Sequence, residues 1–277
     1  MREEGLRAHT RLGPRRLVFC LLTLLLAGGR AFGGPPFQTD DPEPVDFHHY
    51  EFYTFSTFDR GGGSTTGQGP AFELNVGAAP NLQLHLVVPV AWSRPDAGPT
   101  ELGAGDIEMG VKYRFIQEKR GRPQVGIFPM LELPSGNAGR GLGNGGLWAR
   151  LPLWIQKSWG PWTTYGGGGY TINHAPGMQD CAFAGWLAQR QLGKRLILGG
   201  EVYYQGAQAV RTEQSTFLDG GGYLTLHGNL SLLFMGGHSV AGDRHAVGYL
   251  GLYYTWGKDR PQRSLPAPGT GPGRAGW

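Results

Sequence analysis

Between residues 47 and 256 the sequence divides into twelve short segments in which apolar and polar residues alternate. Alternation with a period of two is typical of a β-strand and not of a helix. Short and long connections alternate between the segments. The short ones contain Gly, Pro or Asn, which supply the backbone angles of a tight hairpin. The pattern predicts an all-β fold, a transmembrane antiparallel up-and-down barrel, because a bilayer tolerates no unpaired sheet edge.

The predicted strands are bounded by connections of two kinds. Short turns are expected at 80–81, 119–122, 159–161, 193–194 and 228–229, which suits the periplasmic side of a bacterial outer membrane. Longer loops are expected near 59–69, 93–103, 135–145, 173–180, 207–215 and 239–243, on the outside. The strands are expected, within a few residues, at 47–58, 70–79, 82–92, 104–118, 123–134, 146–158, 162–172, 181–192, 195–206, 216–227, 230–238 and 244–256.

The polar face of these strands carries charges in mid-strand, as the segment 104–115 shows. There Asp106, Glu108 and Arg114 share one face, and Val111 and Phe115 lie on the other. In a membrane barrel the apolar face meets lipid and the charged face lines the lumen. A soluble barrel or sandwich, the alternative, would bury the apolar face. The candidate lumen-lining residues are Glu73, His85, Asp106, Glu108, Lys112, Arg114, Glu132, Arg150, Trp154, Glu201 and Tyr203.

Two interpretations of this charged face remain open at the level of sequence. The residues could line a polar passage, or they could form a packed ion-pair network that closes the interior. A bore of twelve strands lies between filled eight-stranded barrels and the open channels of sixteen strands or more. Aromatic residues near strand ends predict girdles at the membrane interface. This set contains Trp148, Trp154, Trp159, Trp162, Trp186 and Tyr165.

The two ends of the chain differ in composition from the middle. Residues 1–33 have a basic region followed by ten apolar residues, Leu17–Leu26, and then small residues, which predicts a cleaved signal peptide. Residues 34–46 are proline-rich and acidic, and they are expected to be either a plug in the periplasmic mouth of the barrel, held by Lys112, Arg114 or Arg150, or a flexible leader. Residues 257–277, rich in Pro, Gly and Arg, are expected to be a disordered periplasmic tail.

Charge and cysteine content argue against nucleic-acid binding and against a disulfide bond. Residues 34–256 contain 15 basic and 18 acidic residues, so the mature barrel lacks the electrostatic footprint of a nucleic-acid-binding protein. Only Cys181 is left once the leader is removed, which excludes an intramolecular disulfide.

The last predicted strand carries a recognisable spacing of residues. Gly251, Tyr254 and Trp256 resemble the C-terminal insertion signal that the barrel-assembly machinery reads in outer-membrane barrels. The resemblance implies that this machinery is a partner during insertion. The sequence departs from the usual pattern because residues 257–277 follow the signal.

Three further stretches resemble one family of outer-membrane proteins. They are Pro35–Pro44 (PPFQTDDPEP), Gly105–Phe115 (GDIEMGVKYRF) and Phe128–Gly136 (FPMLELPSG). Together they are similar to the meta-pathway phenol degradation family, whose members are often described as transporters. The resemblance implies an outer-membrane transport barrel associated with aromatic catabolism, and it implies no particular substrate.

Chemistry other than transport has little support in the sequence. Neither a metal site nor a cofactor is expected, since His174, His227, His238 and His245 lack ligand spacing. A phospholipase-like barrel is the enzymatic alternative, with His238 and Ser239, or His174, as its candidates. No elbow motif surrounds a serine, so no catalytic residue is assigned and the chain is not expected to be an enzyme.

The function favoured by the sequence is passive or facilitated passage of small molecules, with aromatic or hydrophobic solutes as the preferred class. Aromatic residues on the lumen face could stack against such solutes, although packing of the interior explains them equally well. The expected partners are outer-membrane lipid and an unknown small solute, and the barrel is expected to be a monomer. A structural barrel without transport is a further alternative. The lumen aromatics are Tyr53, Phe128, Trp148, Trp154, Tyr203, Tyr249 and Tyr253.

Overall fold

A computed structural model describes residues 35–258, so the predicted signal peptide and most of the predicted tail lie outside the described residues. Within this range no helix is long and apolar enough to cross a membrane. The strands are β1 (His49–Gly61), β2 (Ser64–Ala79), β3 (Leu82–Pro95), β4 (Glu101–Ala104), β5 (Ile107–Ile116), β6 (Gln124–Ile127), β7 (Met130–Leu133), β8 (Trp148–Trp159), β9 (Trp162–Asn173), β10 (Cys181–Leu192), β11 (Leu196–Gln205), β12 (Ser215–His227), β13 (Leu230–Gly242) and β14 (His245–Gly257).

The strands form one closed antiparallel sheet. Two pairs of short strands each act as one barrel strand: β4 and β5 both pair with β3, and β6 and β7 both pair with β5 and with β8. Counted in this way, each barrel strand pairs with its neighbour in sequence, and β1 pairs with β14 along its whole length, from His49 opposite Gly257 to Gly61 opposite His245. The described strands therefore make a twelve-stranded barrel, which confirms the predicted fold class.

Local chemistry explains the two interruptions. At the first, the N–H of Gly105 donates to the carbonyl of Pro89, 3.0 Å away, which keeps the chain beside β3. At the second, Pro129 has no N–H to give to the ladder, but its carbonyl still accepts from the N–H of Val111 at 3.0 Å. The barrel wall is continuous across both positions.

The apolar face of the barrel points outward. In β3, Leu84, Leu86 and Val88 are 38–46% exposed, whereas the intervening Gln83 and His85 are buried. The same inversion holds for the exposed Val111 and the buried Lys112 of β5. This is the opposite of a soluble barrel, and it fits a wall whose outer surface meets hydrocarbon.

The barrel has two unlike ends. At one, here called the turn end, β1 begins and β14 ends. The connections at this end are residues 80–81, 117–123, 160–161, 193–195 and 228–229. At the other, the loop end, the connections are residues 62–63, 96–100, 134–147, 174–180, 206–214 and 243–244.

Two of the predicted long loops are wrong. Residues 59–69 contain only a two-residue turn, Gly62–Gly63, with positive φ angles of 58° and 79° that suit a tight hairpin. Residues 239–243 fall mostly within β13, which ends at Gly242. In both places backbone pairing continues through residues that are mostly small or polar, where the sequence has no clear apolar alternation.

The predicted aromatic girdle is also partly wrong. Trp159 and Trp162, at the adjoining ends of β8 and β9, are 52% and 40% exposed on the outer face, as a girdle requires. Trp186 is 54% exposed but lies in the middle of β10, away from either end of the strand. Trp154 and Tyr165, at 2% and 0% exposure, lie in the interior instead, because they are on the inward register of β8 and β9.

The glycine run of β9 allows close packing with its neighbours. A Cβ on Gly166 would collide with the ring of Trp186 from β10, which lies across this part of the wall. The glycine therefore gives an outward-facing tryptophan room to lie flat over the strand.

Candidate functional site: the barrel lumen

Residues 35–46, here called the N-terminal segment, lie inside the barrel. Thr39 and Asp41 are fully buried, at 0% and 1% exposure. The backbone N–H groups of Gln38 and Thr39 each donate to the carboxylate of Glu201 at 2.8 Å, and the side-chain amide of Gln38 donates to Asp219 at 2.8 Å. Two acidic residues near the middle of β11 and β12 thus hold the deepest part of the segment.

The basic residues on the opposite wall hold the acidic part of the segment. The ammonium group of Lys112 donates to Asp40 at 2.9 Å and lies 3.6 Å from Asp41. Arg114 lies 3.6 Å from Glu43. Burial raises the pKa of Asp41 to about 8, although nearby Lys112 acts to lower it.

Neutral contacts complete the fit of the segment. Near the turn end, the N–H of Val45 donates to the side-chain oxygen of Gln83 at 2.9 Å. Phe37 packs with Tyr165 and Leu187 in a small buried cluster. A Cβ on Gly185 would collide with the side chain of Thr39, so the absence of a side chain there makes room for the segment.

The segment leaves a large part of the lumen open. A cavity of about 850 Å³ has Asp41 and Lys112 among its lining residues. It also touches Asn229 at the turn end, and Thr212 and Asp243 at the loop end. One continuous space therefore runs beside the N-terminal segment from one end of the barrel to the other.

The wall of this cavity is strongly acidic. Among the described residues that line it, ten carry carboxylates and two carry permanent positive charges, Lys112 and Arg150. The carboxylates are those of Asp40, Asp41, Glu43, Asp46, Glu51, Asp59, Glu73, Glu108, Glu213 and Asp243. Such an excess of acidic side chains makes the electrostatic potential in the cavity negative.

Part of the charged face is nevertheless a packed network. The ring of His85 lies between Asn75, 2.7 Å from Nδ1, and Glu108, 2.9 Å from Nε2. The amide of Asn75 donates in turn to Glu73 at 2.8 Å. Both interpretations of the lumen left open by the sequence are thus present together, because the network borders the cavity and does not fill it.

Tyrosines form another wall of the cavity, on β1 and β14. The hydroxyl groups of Tyr53 and Tyr253 donate to the two oxygens of Glu51 at 2.9 and 2.7 Å. Phe55 and Tyr249 stack beside them with ring centroids 5.1 Å apart. The lumen aromatics are therefore both packed together and exposed to the cavity.

The structure places the eleven candidate lumen residues in three groups. Seven line the large cavity: Glu73, His85, Glu108, Lys112, Arg150, Trp154 and Tyr203. Asp106 and Glu132 line a second cavity of about 540 Å³ toward the loop end. Arg114 and Glu201 contact the N-terminal segment.

Sequence reasoning missed several residues that bind the segment or the cavity wall. Asp219 lies in the glycine-rich strand β12, where too few side chains alternate to reveal its face. Glu51 lies in β1, whose aromatic residues occupy both faces. Gln83 and Gln124 lie on inward registers, but an uncharged amide is a weak signal of a lumen position.

The residues of the insertion signal lie near the turn end. Tyr254 and Trp256 are exposed on the outer face and stack with ring centroids 5.9 Å apart, while Gly251 is buried.

The enzyme and metal candidates have the following environments. His238 Nδ1 lies 3.0 Å from the Ser239 carbonyl, and the Ser239 hydroxyl accepts from the His245 backbone N–H, so this pair has no hydrolase geometry. Within residues 35–258 no group of three or more His, Cys, Asp or Glu residues is arranged to hold a metal.

Comparison with known proteins supports the fold. No protein-family model matches the sequence, and no curated protein sequence matches it. Among solved structures, the barrel is similar to the COG4313 outer membrane channel from Pseudomonas putida F1, with a TM-score of 0.65 at 13% identity. This match covers 78% of the chain and 98% of the channel.

Two weaker similarities are to other outer-membrane barrels. The translocator domain of the autotransporter NalP from Neisseria meningitidis has a TM-score of 0.49 at 12% identity, covering 87% of this chain and 94% of that one. The CymD monoaromatic hydrocarbon channel has a TM-score of 0.38 at 9% identity, covering 78% and 90%. With its apolar outer face and the fold it shares with the COG4313 channel, the chain is a β-barrel of the bacterial outer membrane, surrounded by membrane lipid.

Proposed function

We propose that the protein is a passive channel for small solutes, with aromatic or moderately apolar molecules as the preferred class. The observation that carries this proposal is the continuous cavity, whose lining includes Asn229 at the turn end and Asp243 at the loop end. The polar groups along it replace part of the hydration shell of a passing solute. The aromatic walls, which contain Tyr53 and Tyr249, offer ring faces for stacking.

The three stretches that resemble the meta-pathway phenol degradation family support the preference for aromatic solutes. All three contribute directly to the lumen. Asp40 and Asp41 come from the first stretch, Glu108 and Lys112 from the second and Phe128 from the third, and all five line the cavity. The resemblance thus concerns the residues that a solute would meet.

The N-terminal segment is proposed to be a plug that narrows the passage from the turn end, which faces the periplasm. Hydrogen bonds and ion pairs to Glu201, Lys112 and Arg114 hold it in the lumen, and no covalent cross-link among the described residues does so. Such contacts exchange with water, so the segment can be displaced without unfolding the barrel.

Planar-bilayer recording of the purified chain tests the channel and the plug together. The wild-type protein is expected to give discrete conductance steps, and deletion of residues 35–46 is expected to raise the unit conductance and the rate of liposome swelling with small sugars. Deletion of residues 259–277 is the matched control and should change neither. Absence of steps in both proteins would refute the channel, and equal flux with and without residues 35–46 would refute the plug.

Assembly as a monomer through the barrel-assembly machinery is also proposed. Tyr254 and Trp256 present an exposed aromatic pair at the end of the last strand, where Trp256 also stacks on Tyr50 of the first strand at 5.3 Å. Trp256→Ala should reduce the folded fraction in outer-membrane extracts, whereas Trp186→Ala, which alters an exposed tryptophan elsewhere on the wall, should reduce it less.

A further inference from the structure

Arg150 is a lumen cation with an unusual set of neighbours. Its guanidinium lies over the ring of Phe183, 3.9 Å from the centroid, and within 5.9 Å of the ring centroid of Tyr203. It donates to the Tyr203 hydroxyl, while its Nε–H is shielded from solvent and has no acceptor among the described residues. The group therefore retains capacity to bind an acceptor that the protein does not supply.

The other lumen cations differ from Arg150 in having acidic partners. Lys112 contacts Asp40 and Asp41, and Arg114 contacts Glu43. No carboxylate of the described residues forms an ion pair within 4.0 Å of Arg150. Cation–π contacts offset part of the free-energy cost of placing a guanidinium in the lumen without a carboxylate partner. They do not provide acceptors for its remaining N–H groups.

Aromatic rings surround this guanidinium. Phe128, Trp154 and Phe217 belong to the same buried cluster as Phe183 and Tyr203. Of these, Phe128, Trp154, Tyr203 and Phe217 line the large cavity together with Arg150. The cluster lies toward the loop end, since Arg150 follows the first residues of β8 and Phe217 those of β12.

We infer that Arg150 and these rings form a binding subsite for an aromatic carboxylate that enters from the loop end. The planar guanidinium matches the two oxygens of a carboxylate, and the ring of the solute would pack against Trp154 and Phe217. Of the lumen carboxylates, Glu51 and Glu73 come from β1 and β2, four or more barrel strands away from β8, whereas Glu108 comes from β5, two barrel strands away. The inference rests on the proposed function only in that the solute reaches the subsite through the passage.

Equilibrium binding to the folded full chain in detergent tests the subsite without requiring conduction. The probe is 4-fluorobenzoate, followed by fluorine NMR, and two matched probes separate its parts. Fluoroacetate keeps the carboxylate without the ring, and 4-fluorobenzylammonium keeps the ring with the opposite charge. The wild-type chain is expected to bind 4-fluorobenzoate more tightly than either.

Variants then assign the binding to Arg150. Arg150→Gln should weaken 4-fluorobenzoate binding roughly tenfold or more, and Arg150→Lys should weaken it less, because a charged partner remains without the planar fork. Phe217→Leu should weaken it several-fold. The control is Arg190→Gln, which removes a charge from an exposed residue that lies over Trp162 on the outer wall and should leave binding unchanged.

Three outcomes would overturn the subsite: equal binding by Arg150→Gln and the wild type, equal binding of fluoroacetate and 4-fluorobenzoate, or preferential binding of 4-fluorobenzylammonium. If Arg150→Gln fails to show the heat-dependent gel shift of a folded barrel, Arg150→Lys and Phe217→Leu decide, and wild-type binding by both would overturn it. Binding without any bilayer conductance would refute the channel and leave the subsite standing.

Discussion

The attachment of the N-terminal segment to Glu201 provides a quantitative test of the plug. Glu201 is 2% exposed, and its two carboxylate oxygens accept one backbone N–H each, from Gln38 and Thr39. Glu201→Gln preserves the size of the side chain but leaves one oxygen acceptor. The second N–H would then face an amide that is itself a donor.

The cost can be worked from these two contacts. A hydrogen bond to a charged group contributes about 1.5–3 kcal/mol, and a buried donor left without an acceptor costs about 1–3 kcal/mol. Weakening one bond and orphaning one donor therefore destabilises the docked segment by roughly 3 kcal/mol. Since each 1.4 kcal/mol is a factor of about ten, the ratio of docked to undocked segment should fall by roughly 100-fold.

Single-channel recording measures this shift as the fraction of time spent in a state of higher conductance. Glu201→Gln should reach the same conductance as the chain lacking residues 35–46, but intermittently. Glu118→Gln is the matched control, because it removes a carboxylate that binds Lys157 and does not touch the segment. If deletion raised conductance while Glu201→Gln behaved as the wild type, the anchoring argument would be wrong although the plug itself would stand.

Three further changes test other parts of the structure. Gly185→Val should displace Thr39 and raise conductance in the same recordings, since its side chain would occupy the space of the Thr39 hydroxyl; unchanged conductance would contradict the docked position. Glu108→Lys should shift the reversal potential in a salt gradient toward anions, because Glu108 lines the cavity; an identical potential would show that it lies off the ion path. Leu250→Arg, on the exposed face at mid-strand, should lower the free energy of unfolding in vesicles by about 2–4 kcal/mol, against about 0–1 for Leu192→Arg at a strand end; equal losses would contradict the proposed depth of the two residues.

The wall of the barrel was predictable because lipid and lumen impose opposite demands on alternate residues. In β5 the exposed Val111 and the buried Lys112 follow this rule without help from any distant residue. Alternation no longer predicts a strand where the outer face does not contact lipid. Beyond the lipid band the residues 64–69 are polar or small, so the sequence gives no signal that β2 extends through them.

The conformation of the N-terminal segment was not predictable for a different reason. Residues 35–46 have no hydrophobic period, and their position is set by partners far along the chain, such as Glu201 and Asp219. The acidity of the segment did indicate basic partners: Lys112 and Arg114 form ion pairs with it, whereas Arg150, the third candidate, contacts Phe183 and Tyr203 instead. Charge complementarity thus predicted the basic partners on one wall. The acidic partners on the other wall bind backbone N–H groups of the segment, and the sequence does not show which backbone groups are available for such bonds.

The segment also determines the charge of the passage, so its removal should change selectivity as well as width. Asp40, Asp41, Glu43 and Asp46 supply four of the ten carboxylates that line the cavity within the described residues. Their loss would leave Lys112 without its carboxylate partners and would halve the excess of acidic over basic residues along the cavity. A wider pore without these groups should therefore be less cation-selective than the wild type. An increase in conductance with an unchanged reversal potential would mean that the segment obstructs the passage without facing the ions that cross it.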